Sequence, residues 1–547
     1  MSRERAVSAG VWTLALAGAV LRGALAVAQY PVTGDPVFSY VYRAVLLAHG
    51  EWRGLSLLWH PPGYPLLLAA LTRLGMPWFR PYAVGVAVSL VSSVLLVLIV
   101  DRLVRSRVEL PATRLVVASF VALYEGLFIL APAPLTEPPF LVLVYGAVLV
   151  LDRAGRSGGA GGAGRAGRPQ RRWTGPLLAG LLLGLAATLR FEGVGAILGL
   201  ALLTALWTGG ETRRSRLAAA ALLLGGAFLA AGWLLADPRY LARAAAAQRP
   251  SYTIPAASTL LGQARRAVEA TYHALVVWLP ETLLLPYWCL AALGLAARWE
   301  RGRARLHGLL LAVVLPILGL VTLTVMHKRT GAFLLPAAGI WVGLGVEALA
   351  LRLAATRRPG AARWLVGLAI VVNVLQVARA PVDLARHPTP SDPVTRVAAQ
   401  LLSRALEGSP GRRVKAWAFG AEPEVYGFSG VPTVYPFFER EEGYNDAYRL
   451  HRGDPSGFVA ALRSRGFEYL TFCLCPPPSS AAPAATVAHQ PYGDFSGQPS
   501  RRDLEALVRH AADLGLAPRG RAPADGGRCR VYLMAVMAVG PAGAHHP

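Results

Sequence analysis

Cysteine is rare in this chain, four in 547 residues, which excludes a scaffold stapled by disulfides. Charge is sparse too, at 16% of residues, and carboxylates are the scarcer sign, with 31 acids against 55 Lys and Arg and a net charge of +24. A basic excess of that size would suit nucleic acid. The arginines exclude that partner by placement, because they punctuate the chain between hydrophobic runs instead of gathering in one domain. Residues 380–547 hold no metal-ligand spacing, no nucleophile elbow and no phosphate loop. No internal repeat stands out, and the hydrophobic runs are nearly free of charge at their centres.

Apolar sequence is what is abundant: 54% of residues are hydrophobic and the mean hydropathy is +0.43. One soluble core cannot hide that much apolar surface, and several runs approach the roughly 20 residues that a bilayer span needs. The expected fold class is therefore a polytopic all-α transmembrane bundle of about eleven spans, followed by a C-terminal extracytoplasmic α/β domain. The spans read as Val11–Gln29, Tyr82–Val100, Leu115–Leu130, Leu135–Leu151, Gly175–Leu189, Val194–Trp207, Leu217–Leu235, Ala274–Ala297, Leu309–Val325, Phe333–Leu351 and Trp364–Val377. The end of the first, ALAVAQ, also resembles a signal-peptidase site, so cleavage there is an open alternative.

Arginines mark every second loop: Arg102, Arg105, Arg107 and Arg114, then Arg153–Arg172, Arg213–Arg216, Arg298–Arg305 and Arg352–Arg363. This is the positive-inside signature, with the N-terminus cytoplasmic in a plasma or inner membrane. Ala154–Arg172, rich in Gly and Arg, reads as a flexible linker. An odd number of spans leaves residues 380–547 outside. There the pattern turns to helices (Val394–Leu406, Ser456–Arg463 and a face of Leu504, Leu507, Val508 and Ala511) alternating with strands (Arg413–Phe419, Val431–Phe437, Tyr469–Cys475 and Cys529–Val536). In an oxidising compartment either Cys473 or Cys475 would be available to pair with Cys529. The division is residues 1–379 for the membrane module and 380–547 for the α/β domain.

Chemistry is expected in the first external loop, about residues 30–65, which is long where most connections take only about 4–6 residues. It carries Asp35, an amphipathic aromatic run with Tyr40 and Trp59, and then His60-Pro61-Pro62-Gly63-Tyr64-Pro65. The same topology brings Glu137, the Arg190–Glu192 turn and His327-Lys328-Arg329 to the outer face, where ionisable groups near a bilayer tend to be functional. Each has a plain structural alternative. Asp35 before Pro36 makes a good helix cap, and Glu137 suits a helix dipole. Arg190 and Glu192 would form a weak turn ion pair if exposed. The 327–329 triplet would snorkel to headgroups, His60 would pack the loop, and Tyr40 and Trp59 would belong to an interfacial aromatic belt.

Taken together, Gly34-Asp35, Tyr40, Ala44, Gly50 and His60–Pro65 resemble the first loop of the GT-C glycosyltransferases. The likeness is to the protein mannosyltransferase and aminoarabinose transferase branch, glycosyltransferase family 39. Thr136-Glu137-Pro138, Leu189-Arg190-Phe191-Glu192-Gly193, and Arg329 with Leu335-Pro336 resemble later motifs of the family. One departure stands out: protein mannosyltransferases carry Asp-Glu in this loop, whereas Pro36 follows Asp35 here. That weighs against a protein acceptor and against a two-acid role inside the loop.

The resemblance implies transfer of a sugar from a polyprenyl-phosphate donor to a lipid, glycan or protein acceptor on the outer face. Asp35 would be the general base and Glu137 a second acid. Arg190, Lys328 and Arg329 would hold phosphate, with Glu192 and His327 beside them. His60, Tyr64, Tyr40 and Trp59 would shape the sugar and acceptor side. No cofactor is implied, and the acid pair alone is a poor divalent-metal site. The main rival is a transporter or flippase of lipid-linked glycans, which would favour charged or broken helices at mid-membrane and repeated halves. A scaffold presenting the C-terminal domain and an O-antigen-ligase-like transferase using the Asp237–Tyr272 loop are weaker rivals.

Overall fold

The computed structural model describes residues 3–28, 40–48, 50, 61–74, 81–128, 133–157, 170–206, 212–235, 283–297, 301–324, 330–356, 359–377, 393–406, 416–418, 433–434, 453–464, 466–474, 501–527 and 529–537. The chain divides into two compact units: Met1–Ala28 with Leu57–Tyr64 and Val86–Pro388, and Gln29–Ser56 with Pro65–Gly85 and Thr389–Pro547.

The first unit is helical. Its main elements are α1 (Arg3–Ala28), α5 (Thr113–Leu123), α6 (Glu125–Phe128), α7 (Glu137–Ser157), α8 (Gln170–Leu189), α9 (Glu192–Leu206) and α10 (Arg213–Leu235). They are followed by α11 (Leu285–Ala296), α12 (Arg301–Thr324), a 3-10 turn (Thr330–Phe333), α13 (Leu335–Ala355) and α14 (Pro359–Val377). Helices α2 (Tyr42–Ala48), α3 (Gly63–Arg73) and α4 (Pro81–Val104) lie between α1 and α5 in sequence. Among the described residues six helices are long and apolar enough to cross a membrane, and α5, α8, α9 and α11 are shorter apolar helices. The chain is a multi-pass membrane protein.

Small residues set the packing, as expected where lipid removes the hydrophobic drive between helices. Gly180 and Gly184, one turn apart on α8, face backbone carbonyls of Leu223 and Ala227 on α10, so a methyl group at either would strike main chain. Gly294 of α11 and Gly345 of α13 are seated in the same way against Trp341 and Leu290.

Several helices run beyond their hydrophobic windows. Helix α7 continues to Ser157 and α8 starts at Gln170, so both ends of the expected linker Ala154–Arg172 are helical. Ala, Arg and Gln are good helix formers, and a hydropathy window finds only the apolar part of a helix. The expected span Leu115–Leu130 is broken at Tyr124, which is extended (φ −62°, ψ 130°) between α5 and α6.

The second unit holds a five-stranded sheet with β1 (Ala416–Ala418), β2 (Thr433–Val434), β3 (Tyr469–Leu474), β4 (Leu516–Ala524) and β5 (Cys529–Val536). Its order is β2-β1-β3-β5-β4, parallel from β2 to β3 and antiparallel beyond. Strand alternation separates two cores. Trp417, Leu470 and Phe472 join Phe458, Leu462, Leu504 and Leu507, whereas Ala416, Val531 and Leu533 join Ala398 and Leu402. Helices Pro455–Ser464 and Arg501–Arg509 cover the first face and Pro393–Ala405 the second.

Strand β4 was not anticipated. Its sequence, LAPRGRAPA, has two prolines, a glycine and no β-branched residue. It is an edge strand bulged between Pro518 and Gly520, where a missing N–H is tolerated. Cys529 is disulfide-bonded, whereas Cys473 is a thiol, which removes Cys473 as its partner.

Candidate active site

Four of the polar residues singled out by sequence are described in the first unit: Glu137, Arg190, Glu192 and Tyr64. Three of them meet. Glu137 opens α7, Arg190 follows the last residue of α8, and Glu192 opens α9. Tight packing fixes the turn between α8 and α9, since a Cβ on Gly193 would strike the backbone of Ala187.

The Arg190 guanidinium grips both acids. Its Nε and Nη2 donate to the two carboxylate oxygens of Glu192 at 3.2 and 2.8 Å. Its Nη1 donates to Glu137 Oε1 at 2.9 Å and to Thr136 Oγ1 at 3.0 Å. The Thr136 hydroxyl donates in turn to Glu137 Oε2 at 3.3 Å. One face of the guanidinium lies 4.9 Å from the Phe333 ring centroid. Phe333 is fixed by an edge-on Phe140 and, through its carbonyl, by the Tyr145 hydroxyl.

The plain alternative, Arg190 and Glu192 as an exposed turn pair, does not describe this site. Glu137 is 0% exposed and Arg190 8% exposed. A carboxylate distant in sequence completes the pair and withdraws it from solvent. At least four of the five N–H groups of Arg190 are engaged. With two carboxylates on one guanidinium, the cluster carries an excess of negative charge when both are ionised.

The Pro61-Pro62-Gly63 stretch reaches the same place. Gly63 opens α3 against Thr188, where a Cβ would collide with both the hydroxyl and the carbonyl oxygen. Thr188 is two residues before Arg190. Pro61, Pro62 and Tyr64 are buried there. In the second unit Tyr40 is buried beside Arg43, so it is no exposed belt residue. Burial lowers the Arg43 guanidinium to about 10 and the neighbouring Tyr40 opposes that shift. Asp35, Trp59, His60, His327, Lys328 and Arg329 lie outside the described residues. Among the described residues no three His, Cys, Asp or Glu side chains cluster as metal ligands.

Sequence reasoning missed a second set of charges. Arg107, Arg114 and Arg303 are buried, although their spacing reads as solvated loop signals. Arg114 donates to both oxygens of Asp101 at 2.7 and 2.9 Å and to Glu4 at 2.6 Å. Arg107 pairs with Asp152, and its carbonyl accepts from Arg303 at 3.0 and 2.6 Å. Arg303 also reaches Glu347 at 3.1 Å, whose other oxygen accepts from the Glu109 and Leu110 amides at 2.6 and 2.9 Å. No local signal reveals this, because the acids come from four different helices.

No protein-family model matches the chain, and no curated protein matches it. Solved structures do. ArnT from Cupriavidus metallidurans in the apo state superposes with a TM-score of 0.55 over 98% of this chain and 99% of that one, at 12% identity. The chain has the fold of the GT-C glycosyltransferases. ArnT bound to undecaprenyl phosphate matches at a TM-score of 0.52, with 12% identity over 97% and 98% of the two chains. The Archaeoglobus fulgidus oligosaccharyltransferase in the apo form also matches at 0.52, with 12% identity, covering 84% of this chain and 69% of that one.

Proposed function

We propose that this protein is an integral-membrane glycosyltransferase that moves a sugar from a polyprenyl-phosphate donor to a lipid, glycan or protein acceptor at the outer face. Residues 1–379 form the catalytic module, with the N-terminus cytoplasmic, and residues 380–547 form an α/β domain outside. The observation that carries this reading is the convergence of Glu137, Arg190 and Glu192 at one end of the bundle. It occurs in a fold shared end to end with ArnT, which has been solved with undecaprenyl phosphate.

The roles follow from the chemistry. An acceptor hydroxyl or amine is a weak nucleophile and needs a positioned base, and we assign that to Asp35. Glu137, held by Arg190 and Thr136, is oriented as the second acid. Arg190 already serves two carboxylates, so gripping a phosphate would require it to release one. Its main role is to position Glu137. The leaving phosphate then falls to Lys328 and Arg329, with His327 beside them. His60 and Tyr64 shape the acceptor side, Tyr40 and Trp59 the sugar side, and Glu192 holds Arg190 in place.

The test is turnover of radiolabelled polyprenyl-phosphate sugars with lipid or peptide acceptors by purified protein, wild type against Asp35→Asn. Loss of about 10²- to 10⁴-fold is expected for a missing general base. Equal turnover by the variant would move the chemistry out of the first loop.

A further inference from the structure

Among the described residues nothing neutralises the buried charge of Arg22. The inward seam of α1 runs Val7, Val11, Ala15, Gly18, Arg22 and Ala26, all buried and all small or apolar except this one. Arg22 is 2% exposed. Its guanidinium lies 5.1 Å from the Phe128 ring centroid, and its Nε has no hydrogen-bond partner. Among the described residues no carboxylate meets it. Arg107, Arg114, Arg190 and Arg303, buried in the same unit, each meet at least one.

Position indicates what kind of anion is missing. Eighteen residues separate Arg22 from Glu4, a rise of about 27 Å along α1. The start of α1 is tied to the start of α5 by Glu4 and Arg114, and Arg22 meets Phe128 at the far end of α6. The two segments therefore run side by side, and Arg22 lies toward the end of the bundle that carries Glu137. The opposite face of α1 is apolar and exposed, with Val20 at 70% and Val27 at 79%, as a lipid-facing surface must be. A helix with one face in lipid brings the head of a membrane lipid within reach of its end, where Arg22 lies. A cation held over a ring in such a place is only partly stabilised by the ring, and a charge within a span is costly without a counter-ion.

We propose that Arg22 is a binding residue for the phosphate of a membrane lipid, with Phe128 as the floor of the site. This stands on burial and pairing alone and holds whether or not the protein transfers sugar. A guanidinium suits phosphate through paired donors.

The test uses the full-length protein, wild type, Arg22→Met and Arg22→Lys, with undecaprenyl phosphate, phosphatidylglycerol or inorganic phosphate as probe. Native mass spectrometry reads binding, and thermal unfolding reads the shift on adding probe. Wild type is expected to bind a lipid probe and to melt higher with it. Arg22→Met should bind about ten- to a hundredfold more weakly, as expected for loss of charge-assisted hydrogen bonds, while Arg22→Lys keeps part of the affinity. Without lipid, Arg22→Met should melt above wild type, because an uncompensated buried charge has gone. Loss confined to undecaprenyl phosphate identifies an isoprenoid phosphate, and loss for both lipids a headgroup phosphate in general. Undiminished lipid binding by Arg22→Met overturns the proposal, as does a wild type that binds only inorganic phosphate or none of the three. Should Arg22→Met fail to accumulate, Phe128→Leu replaces it, and unchanged lipid binding by that variant is equally fatal.

Discussion

The two ends of the helical unit handle charge differently. Helix α7 measures the distance between them: Glu137 opens it and Asp152 lies fifteen residues on, about 22 Å along the axis. At the Asp152 end Arg107, Arg114 and Arg303 are each matched by at least one carboxylate, and the set joins α1, α4, α5, α7, α12 and α13. At the Glu137 end the balance fails in both directions. Among the described residues Arg190 holds two acids and Arg22 holds none. A closed set of pairs fastens helices together. An unbalanced set still has capacity for a substrate's charge, so stability and chemistry should separate between the two ends.

The sharpest way to break that comparison is Glu347→Ala. It leaves Arg303 buried without its nearer carboxylate and two amides without their acceptor, so unfolding in detergent should cost about 3–5 kcal/mol less than for wild type. Transfer per folded molecule should not change. If transfer falls as well, the division into a fastening end and a reacting end is wrong. Glu137→Gln probes the other end. The amide keeps a hydrogen-bond acceptor for Arg190, so the fold should persist, while transfer of radiolabelled sugar drops at least about a hundredfold.

Gly63→Ala should show whether the Pro-Pro-Gly turn supports the Arg190 site. Its new methyl group meets Thr188, and overpacking of this kind costs about 1–3 kcal/mol. If the turn supports the site, transfer should fall with stability, and Thr188→Ala should restore part of both. The smallest effect is expected at Tyr287→Phe. It removes a 2.6 Å hydrogen bond to Asn373, which also donates to Ser119. A cost of about 0.5–1.5 kcal/mol in thermal unfolding, with transfer intact, would sharpen the view that contacts outside the Arg190 cluster serve the fold alone.

Much of the fold was legible from sequence because hydropathy and periodicity are local. The apolar helices fall where the hydrophobic runs lie, and β5 spans Cys529–Val536 as its alternation suggests. Strand β4 was illegible because an edge position, not composition, makes it a strand. The Glu137 and Arg190 motifs were visible as short patterns next to span ends. Their union was not, because nothing in Thr136-Glu137-Pro138 encodes which distant arginine it will meet. Arg22 was visible in the first span but carried no signal until its surroundings were known.

Composition and the spacing of apolar runs by themselves determined that this chain is a helical membrane protein with a sheet-bearing unit toward its C-terminus. Burial of apolar surface depends on which residues follow one another, and that is written in order along the chain. Only the tertiary structure decided which charges are paired and which acids share one guanidinium. Electrostatic energy depends on distance in space between groups that sequence separates by tens or hundreds of residues, and folding alone sets those distances.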